Sequence, residues 1–242
     1  MLGGKCVYVN TYPDFGLPVG EIADAITSKT KMIIVNSPCN PTGMVYSEQL
    51  LKELASVAGE RDIVVLSDEI YEKFCYDGAY PSMASYYDRT ILLRGFSKAY
   101  AMTGWRLGYL AVAEPLKQVL EEMTKIQQYT FVCAPTPFQK AAIAAMDYDV
   151  SQLVGDYRRK RDLIYEGLKD KFELGRPEGA FYAFAKAPGE SGTEFVEKAI
   201  SNNLLIIPGS VFSEKDTHFR ISFAAGDDQI QQGIELLNSL ID

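Results

Sequence analysis

The spacing of hydrophobic positions changes along the chain, and each change marks a different kind of element. Short unbroken apolar runs recur at residues 6–9, 32–35, 63–66 and 91–93. Runs rich in Val and Ile, with no polar alternation, predict strands covered on both faces. Between them the apolar residues return at helical spacing. Ser47 stands where it can cap a helix, and Leu50, Leu51, Leu54 and Ala58 then share one face. This alternation predicts an α/β fold with a mainly parallel sheet covered by helices. Residues 105–112 follow Arg94 too closely for a full crossover helix, so the strand predicted there runs antiparallel.

Helical spacing then dominates. Pro115 opens a helix with Leu116, Val119, Leu120 and Met123 as its apolar stripe. A second helix follows Pro135 and Pro137 and runs to Met146, and a third carries Leu163, Ile164 and Leu168. From roughly residue 172 the pattern shifts to short strands, at residues 181–185, 204–207 and 218–224, with two helices among them. The last helix starts near Asp227 and aligns Ile230, Ile234, Leu237 and Ile241. The predicted organisation is a larger α/β domain over residues 1–147 and a smaller α+β domain over residues 148–242.

Composition removes several function classes. With 242 residues, 47% of them hydrophobic, the chain is long enough for one large α/β domain, or for one domain plus a smaller lobe. A net charge of -8 opposes binding to phosphate backbones, so nucleic acid is not an expected partner. The basic run Arg158-Arg159-Lys160-Arg161 is expected to be a solvated helix face. Four cysteines without a C-x-x-C pair, beside the single His218, point away from zinc and from a disulfide scaffold and toward a reducing, cytoplasmic setting. His218 is expected to be structural. No apolar run has the length of a membrane span, so a membrane is not an expected partner.

Four clusters of chemically capable residues lie at predicted strand ends, where open α/β sheets bind ligands. They are Asn36-Ser37-Pro38-Cys39-Asn40-Pro41-Thr42-Gly43, Ser67-Asp68-Glu69-Ile70-Tyr71, Arg94-Gly95-Phe96-Ser97-Lys98 and Thr103-Gly104-Trp105-Arg106. Taken singly, each has a plain structural reading. The first is a turn, Asp68 and Glu69 are helix caps, Lys98 is a solvated lysine and Arg106 is half of an ion pair. Taken together, in this order, they bring an amide, a carboxylate, a phenol, an amine and a guanidinium to one edge of a sheet.

Three of these segments, Asn40-Pro41-Thr42-Gly43, Ser67-Asp68-Glu69-Ile70-Tyr71 and the run from Gly95 through Lys98 to Tyr109, resemble the signature of class I/II aminotransferases of fold type I, which use pyridoxal 5'-phosphate (PLP). Phe219-Arg220-Ile221-Ser222-Phe223-Ala224 resembles that family's substrate-carboxylate motif. The resemblance implies that Lys98 carries the cofactor as a Schiff base and serves as general base. Asp68 then pairs with the pyridine nitrogen, Tyr71 and Asn40 bind the ring oxygen, Arg106 and Ser97 hold the phosphate, and Arg220 takes the substrate carboxylate. Asn40 is counted with the substrate-binding residues as well. Gly95 stands where some members have a phosphate-contacting serine.

The resemblance also implies amino acid and 2-oxo acid substrates, a homodimer, and a PLP-transferase large domain incomplete at its N-terminus. Relative to the family pattern, on the order of a hundred residues are expected to precede this segment. Two rival readings remain at this level: a PLP-dependent lyase or synthase on the same fold, and a non-catalytic fragment that acts as a binding or assembly module. Which amino acid is the substrate is not legible in the sequence.

Overall fold

The computed structural model describes residues 3–241, which pack as two compact units. The first comprises residues 3–37, Tyr46–Ile70 and Tyr80–Tyr148. The second comprises Pro38–Val45, Tyr71–Ala79 and residues 149–241. Two short segments from the strand-end clusters therefore pack with the C-terminal part of the chain.

The first unit begins with helix α1 (Val19–Ala25) and strand β1 (Met32–Asn36). Helix α2 (Glu48–Gly59), strands β2 (Val64–Asp68), β3 (Thr90–Gly95) and β4 (Gly108–Val112), and helices α3 (Lys117–Thr130) and α4 (Thr136–Met146) follow. The strand order is β1-β2-β3-β4; β1, β2 and β3 are parallel and β4 is antiparallel to β3, as the short connection required. Ser47 caps α2 by accepting from the Leu50 amide at 3.3 Å. That helix lays Leu51, Leu54 and Ala58 over Val35, Ile63 and Val65 of the sheet region, joined by Leu17, Ile22 and Met83. Each fully buried Leu there stabilises the unit by roughly 1.5–3 kcal/mol. A second cluster of Phe96, Met102, Leu107 and Ala142 sits under the turn that carries Lys98.

Two expectations for this unit fail. Residues 6–9 form no strand; Val7 and Tyr8 are 73% and 85% exposed. A strand needs a hydrogen-bonding neighbour, and β1 is the edge of the described sheet, with Ile34 66% exposed. The stripe predicted for the helix after Pro115 is also not a core: Leu116 is buried in the single 3-10 turn Glu114–Leu116, whereas α3 itself buries none of its residues.

The second unit contains α5 (Ser151–Leu168), β5 (Tyr182–Lys186), α6 (Gly192–Ser201), β6 (Ile207–Pro208), β7 (His218–Ser222) and α7 (Asp227–Ser239). Its sheet is antiparallel, in the order β5-β7-β6. Strand β6 is shorter than residues 204–207 predicted and lies later, because Leu205 faces solvent and pairing with β7 starts only at Ile207. Phe219 is fully buried, with its ring centroid 4.9 Å from Phe195 and 5.6 Å from Phe172. Helices α5 and α7 cross closely at Gly167, where an added Cβ would lie 2.7 Å from Ile234.

The basic run on α5 is a solvated face only in part. Arg161 is fully buried: its Nη1 donates to the Pro177 carbonyl at 2.6 Å, its Nε pairs with Asp162 at 2.7 Å, and its guanidinium lies over the Tyr76 ring. Arg158 donates to the Tyr76 carbonyl and Lys160 to the Ala225 carbonyl. Arg158 and Arg159 are both exposed, the latter paired with Asp227 at 2.8 Å. A long cationic side chain buries readily when carbonyls and acids of the same unit meet its head group. His218 is buried, stacked on Phe184 with Thr217 at its Nδ1, and burial pushes its pKa down.

Candidate active site

In the first unit the candidate residues are placed by strand register. Asp68 is the last residue of β2, level with Asn36 on β1 and Leu93 on β3. The Asn36 amide donates to the Asp68 carbonyl at 3.1 Å, and the Asp68 Oδ1 accepts from the Ile70 amide at 3.2 Å. Burial pushes the Asp68 carboxyl above the ordinary range, while the Ile70 N–H and the positive charge of Lys98 draw it back down. Strand β3 ends at Gly95, and Ser97 and Lys98 follow in a turn pinned by the buried Phe96 ring, by Met102 N–H to Phe96 carbonyl (3.2 Å) and by Ala101 N–H to Lys98 carbonyl (3.3 Å). Gly95 faces Gly108 on β4, and a Cβ at Gly95 would come within 2.8 Å of the Ile70 side chain. Arg106 is exposed, with left-handed backbone (φ 52°), and donates to the Thr103 carbonyl at 3.0 Å.

Glu69 is no helix cap. It is fully buried and gathers Ser67, Ser82, the Met83 amide and Arg94, the last at 2.8 Å. A buried carboxylate needs such a full set of donors. This arrangement braces the chain directly beside Asp68 against the end of β3. The sequence placed Glu69 in the right cluster but carried no signal that Arg94, 25 positions away, is its partner.

In the second unit Asn40, Tyr71 and Arg220 come together. Arg220 Nη1 donates to the Asn40 Oδ1 at 2.8 Å. The guanidinium lies 4.4 Å from the Tyr182 ring centroid and 4.8 Å from that of Phe212, and its buried Nε has no hydrogen-bond partner. The Tyr182 hydroxyl is 3.1 Å from the Tyr71 hydroxyl. Tyr71 is itself buried, edge-on to Phe181 at 5.2 Å. Sequence reasoning missed Tyr182 and Phe212. Tyr182 was within reach of period-two alternation, since it and Phe184 share the β5 face that meets Arg220 across the ladder.

The Asn40-Pro41-Thr42-Gly43 turn is locked from both sides. Gly43 has φ +73°, and an added Cβ would meet Pro177 at 2.6 Å and the Tyr182 carbonyl at 2.9 Å. Its carbonyl accepts from the Glu178 and Gly179 amides at 2.9 and 2.8 Å, and Ala180 N–H reaches the Phe74 carbonyl at 3.0 Å. The turn that carries Asn40 and the segment that carries Tyr71 are thus both stitched to the loop that leads into β5.

Comparison with known proteins adds lineage to this geometry. A family model described as aminotransferase class I and II matches residues 1–236. A probable aspartate aminotransferase of Methanocaldococcus jannaschii is 40% identical over 99% of this chain, which covers 66% of that relative. The aromatic-amino-acid aminotransferase 2 of Thermococcus litoralis is 37% identical over 100% of this chain, which covers 65% of it. The crystal structure of aspartate aminotransferase from Thermotoga maritima superposes with a TM-score of 0.87 at 32% identity, over 94% of this chain and 60% of that one. The chain therefore spans somewhat less than two thirds of the length of the curated relatives it matches. By sequence and by fold, it belongs to the class I and II aminotransferase family.

Proposed function

We propose that this chain carries the cofactor-holding and carboxylate-binding residues of a PLP-dependent aminotransferase that moves an amino group between an amino acid and a 2-oxo acid. The observation that carries the reading is the placement of Asp68 and of the Lys98 turn at the ends of the paired parallel strands β2 and β3, near enough that the Lys98 charge acts on the Asp68 carboxyl. The donor set suits PLP: an acid for the pyridine nitrogen, an amine for the aldehyde, and a hydroxyl and a guanidinium for the phosphate. The unpartnered Nε of Arg220 suits a substrate carboxylate.

When bound, PLP supplies an aldehyde that condenses with amines and a ring that stores the electron pair released at the substrate Cα. Lys98 would hold the cofactor through its amine, and the same amine would serve as the base for the substrate Cα proton. Asp68 would pair with the ring nitrogen and favour its protonated form. Its half-buried position weakens solvent screening, so a cationic partner there would be held more strongly than in water. Tyr71 and Asn40 would donate to the ring oxygen, Arg106 and Ser97 would hold the phosphate, and Arg220 would orient the substrate through its carboxylate. Residues 1–147 correspond in this reading to part of the PLP-binding large domain and residues 148–242 to the small domain. Apolar side chains exposed on and beside α3 and α4, among them Ile126, Tyr129, Phe131, Ile143 and Met146, support assembly as a homodimer. Four free cysteines accord with a reducing, cytoplasmic setting.

The test is PLP added to the full 242-residue chain. A visible absorbance band is expected, with complete loss in Lys98→Ala, and the loaded protein is expected to convert an amino acid plus a 2-oxo acid into their exchanged products. Release of ammonia and pyruvate would make it a lyase. Failure to form the band at saturating PLP would leave a non-catalytic module.

A further inference from the structure

Within the second unit, one residue touches both groups that the proposed reaction needs held still. Tyr182 is buried on β5. Its hydroxyl lies 3.1 Å from that of Tyr71, with either atom able to donate, and its ring stands nearly perpendicular to the Tyr71 ring at 5.7 Å. The face of the same ring receives the Arg220 guanidinium at 4.4 Å. The β-ladder sets this contact. Phe184 faces Arg220 directly, and Tyr182, two residues back on the same face, is its diagonal neighbour.

Arg220 is unusual for a partly buried arginine. No carboxylate neutralises it among the described residues. Its neighbours are the Asn40 amide and the two ring faces of Tyr182 and Phe212, and its Nε is buried without a partner. Ring faces hold the plane of a guanidinium without cancelling its charge, so the full charge stays available to an anionic ligand. A carboxylate partner would fix the plane equally well, but it would compete with that ligand.

We infer that Tyr182 is a positioning residue with two separable functions: its ring face orients Arg220 for the substrate carboxylate, and its hydroxyl orients the Tyr71 phenol for the cofactor ring. The inference rests on the aminotransferase reading and extends it to a residue that touches neither reacting atom. Removal of the hydroxyl and removal of the ring therefore have different consequences.

The experiment uses the full chain and the variants Tyr182→Phe, Tyr182→Leu and Arg220→Lys, each first checked by thermal melting. Succinate is titrated calorimetrically into the cofactor-free proteins, and PLP binding is followed separately by absorbance. Tyr182→Phe is expected to bind succinate within about 2-fold of the parent, because the ring face remains. Tyr182→Leu is expected to bind it about 3- to 30-fold more weakly. For PLP, Tyr182→Phe already loses about 2- to 10-fold, the effect of one hydrogen bond. A merely structural role would weaken both ligands in parallel with the melting temperature and would not separate the two substitutions. Identical behaviour of the Phe and Leu variants in both titrations, or parent-like succinate binding by the Leu variant, overturns the inference while the aminotransferase reading stands. Succinate binding that is absent in the parent, or indifferent to Arg220→Lys, removes the Arg220 role itself and the inference with it.

Discussion

The two packed units hold their candidate residues in different ways. In the first, Asp68, Ser97, Lys98 and Arg106 sit where backbone register and turns place them. The dense side-chain network belongs to their neighbour Glu69, which is closed on Arg94, Ser67, Ser82 and the Met83 amide. In the second, the candidate side chains contact one another: Asn40 with Arg220, Arg220 with Tyr182, Tyr182 with Tyr71. The first arrangement fixes the ends of a sheet by strand pairing and by the Glu69 network. The second sets the guanidinium plane in advance, by the contacts of Arg220 with Asn40, Tyr182 and Phe212, on which its proposed carboxylate role rests. Preorganisation of this kind lowers the ordering cost of binding.

The contrast breaks most visibly at Glu69. Glu69→Ala leaves Arg94 and three further donors without their acceptor in a buried setting, and a loss of about 3–5 kcal/mol in chemical denaturation is expected. A loss below about 1 kcal/mol would mean that the strand ends are held by backbone pairing alone.

In the second unit the corresponding lesion is Gly43→Ala. It places a Cβ at positive φ against Pro177 and the Tyr182 carbonyl, and a cost of about 2–4 kcal/mol is expected. Because the turn carries Asn40, succinate binding should weaken along with the melting temperature, in contrast to the Glu69 variant, where binding by the folded fraction should persist.

The smallest expected effect has the opposite sign. Burial raises the Asp68 carboxyl above its ordinary 3.8, so the folded chain binds the proton more tightly than the unfolded chain does. Stability from this group is complete below about pH 4 and is lost as pH rises through the folded value. Without cofactor, Asp68→Asn should therefore melt at or slightly above the parent temperature at pH 7, with the gap closing as the pH is lowered toward 4. A variant that melts lower at neutral pH would show the carboxylate to be a structural anchor. Retention of a carboxylate where burial disfavours its charge accords with a site shaped for a cationic ligand group.

Much of the first unit was legible in one dimension. Unbroken Val- and Ile-rich runs at residues 32–35, 63–66 and 91–93 became the parallel strands, Ser47 became a cap, and the short link after Arg94 forced β4 to turn back. The lysine segment carried the family assignment because a long ordered motif is hard to reach by chance. Residues 6–9 misled because apolar content implies burial only where a neighbouring strand exists to receive it. Within the run Arg158-Arg159-Lys160-Arg161, the last residue misled because charge implies solvent only where no carbonyl or acid waits in the interior.

What the sequence by itself determined is therefore local: which residue types stand at which strand ends, and in what order. Tertiary structure alone decided who meets whom. Tyr71 reaches Tyr182 across 111 positions and Asn40 reaches Arg220 across 180, and the segments that carry Asn40 and Tyr71 pack with the second unit although their flanking strands belong to the first. Periodicity and propensity act over a few residues, whereas a hydrogen bond or a cation over a ring depends on distances that only the folded chain defines.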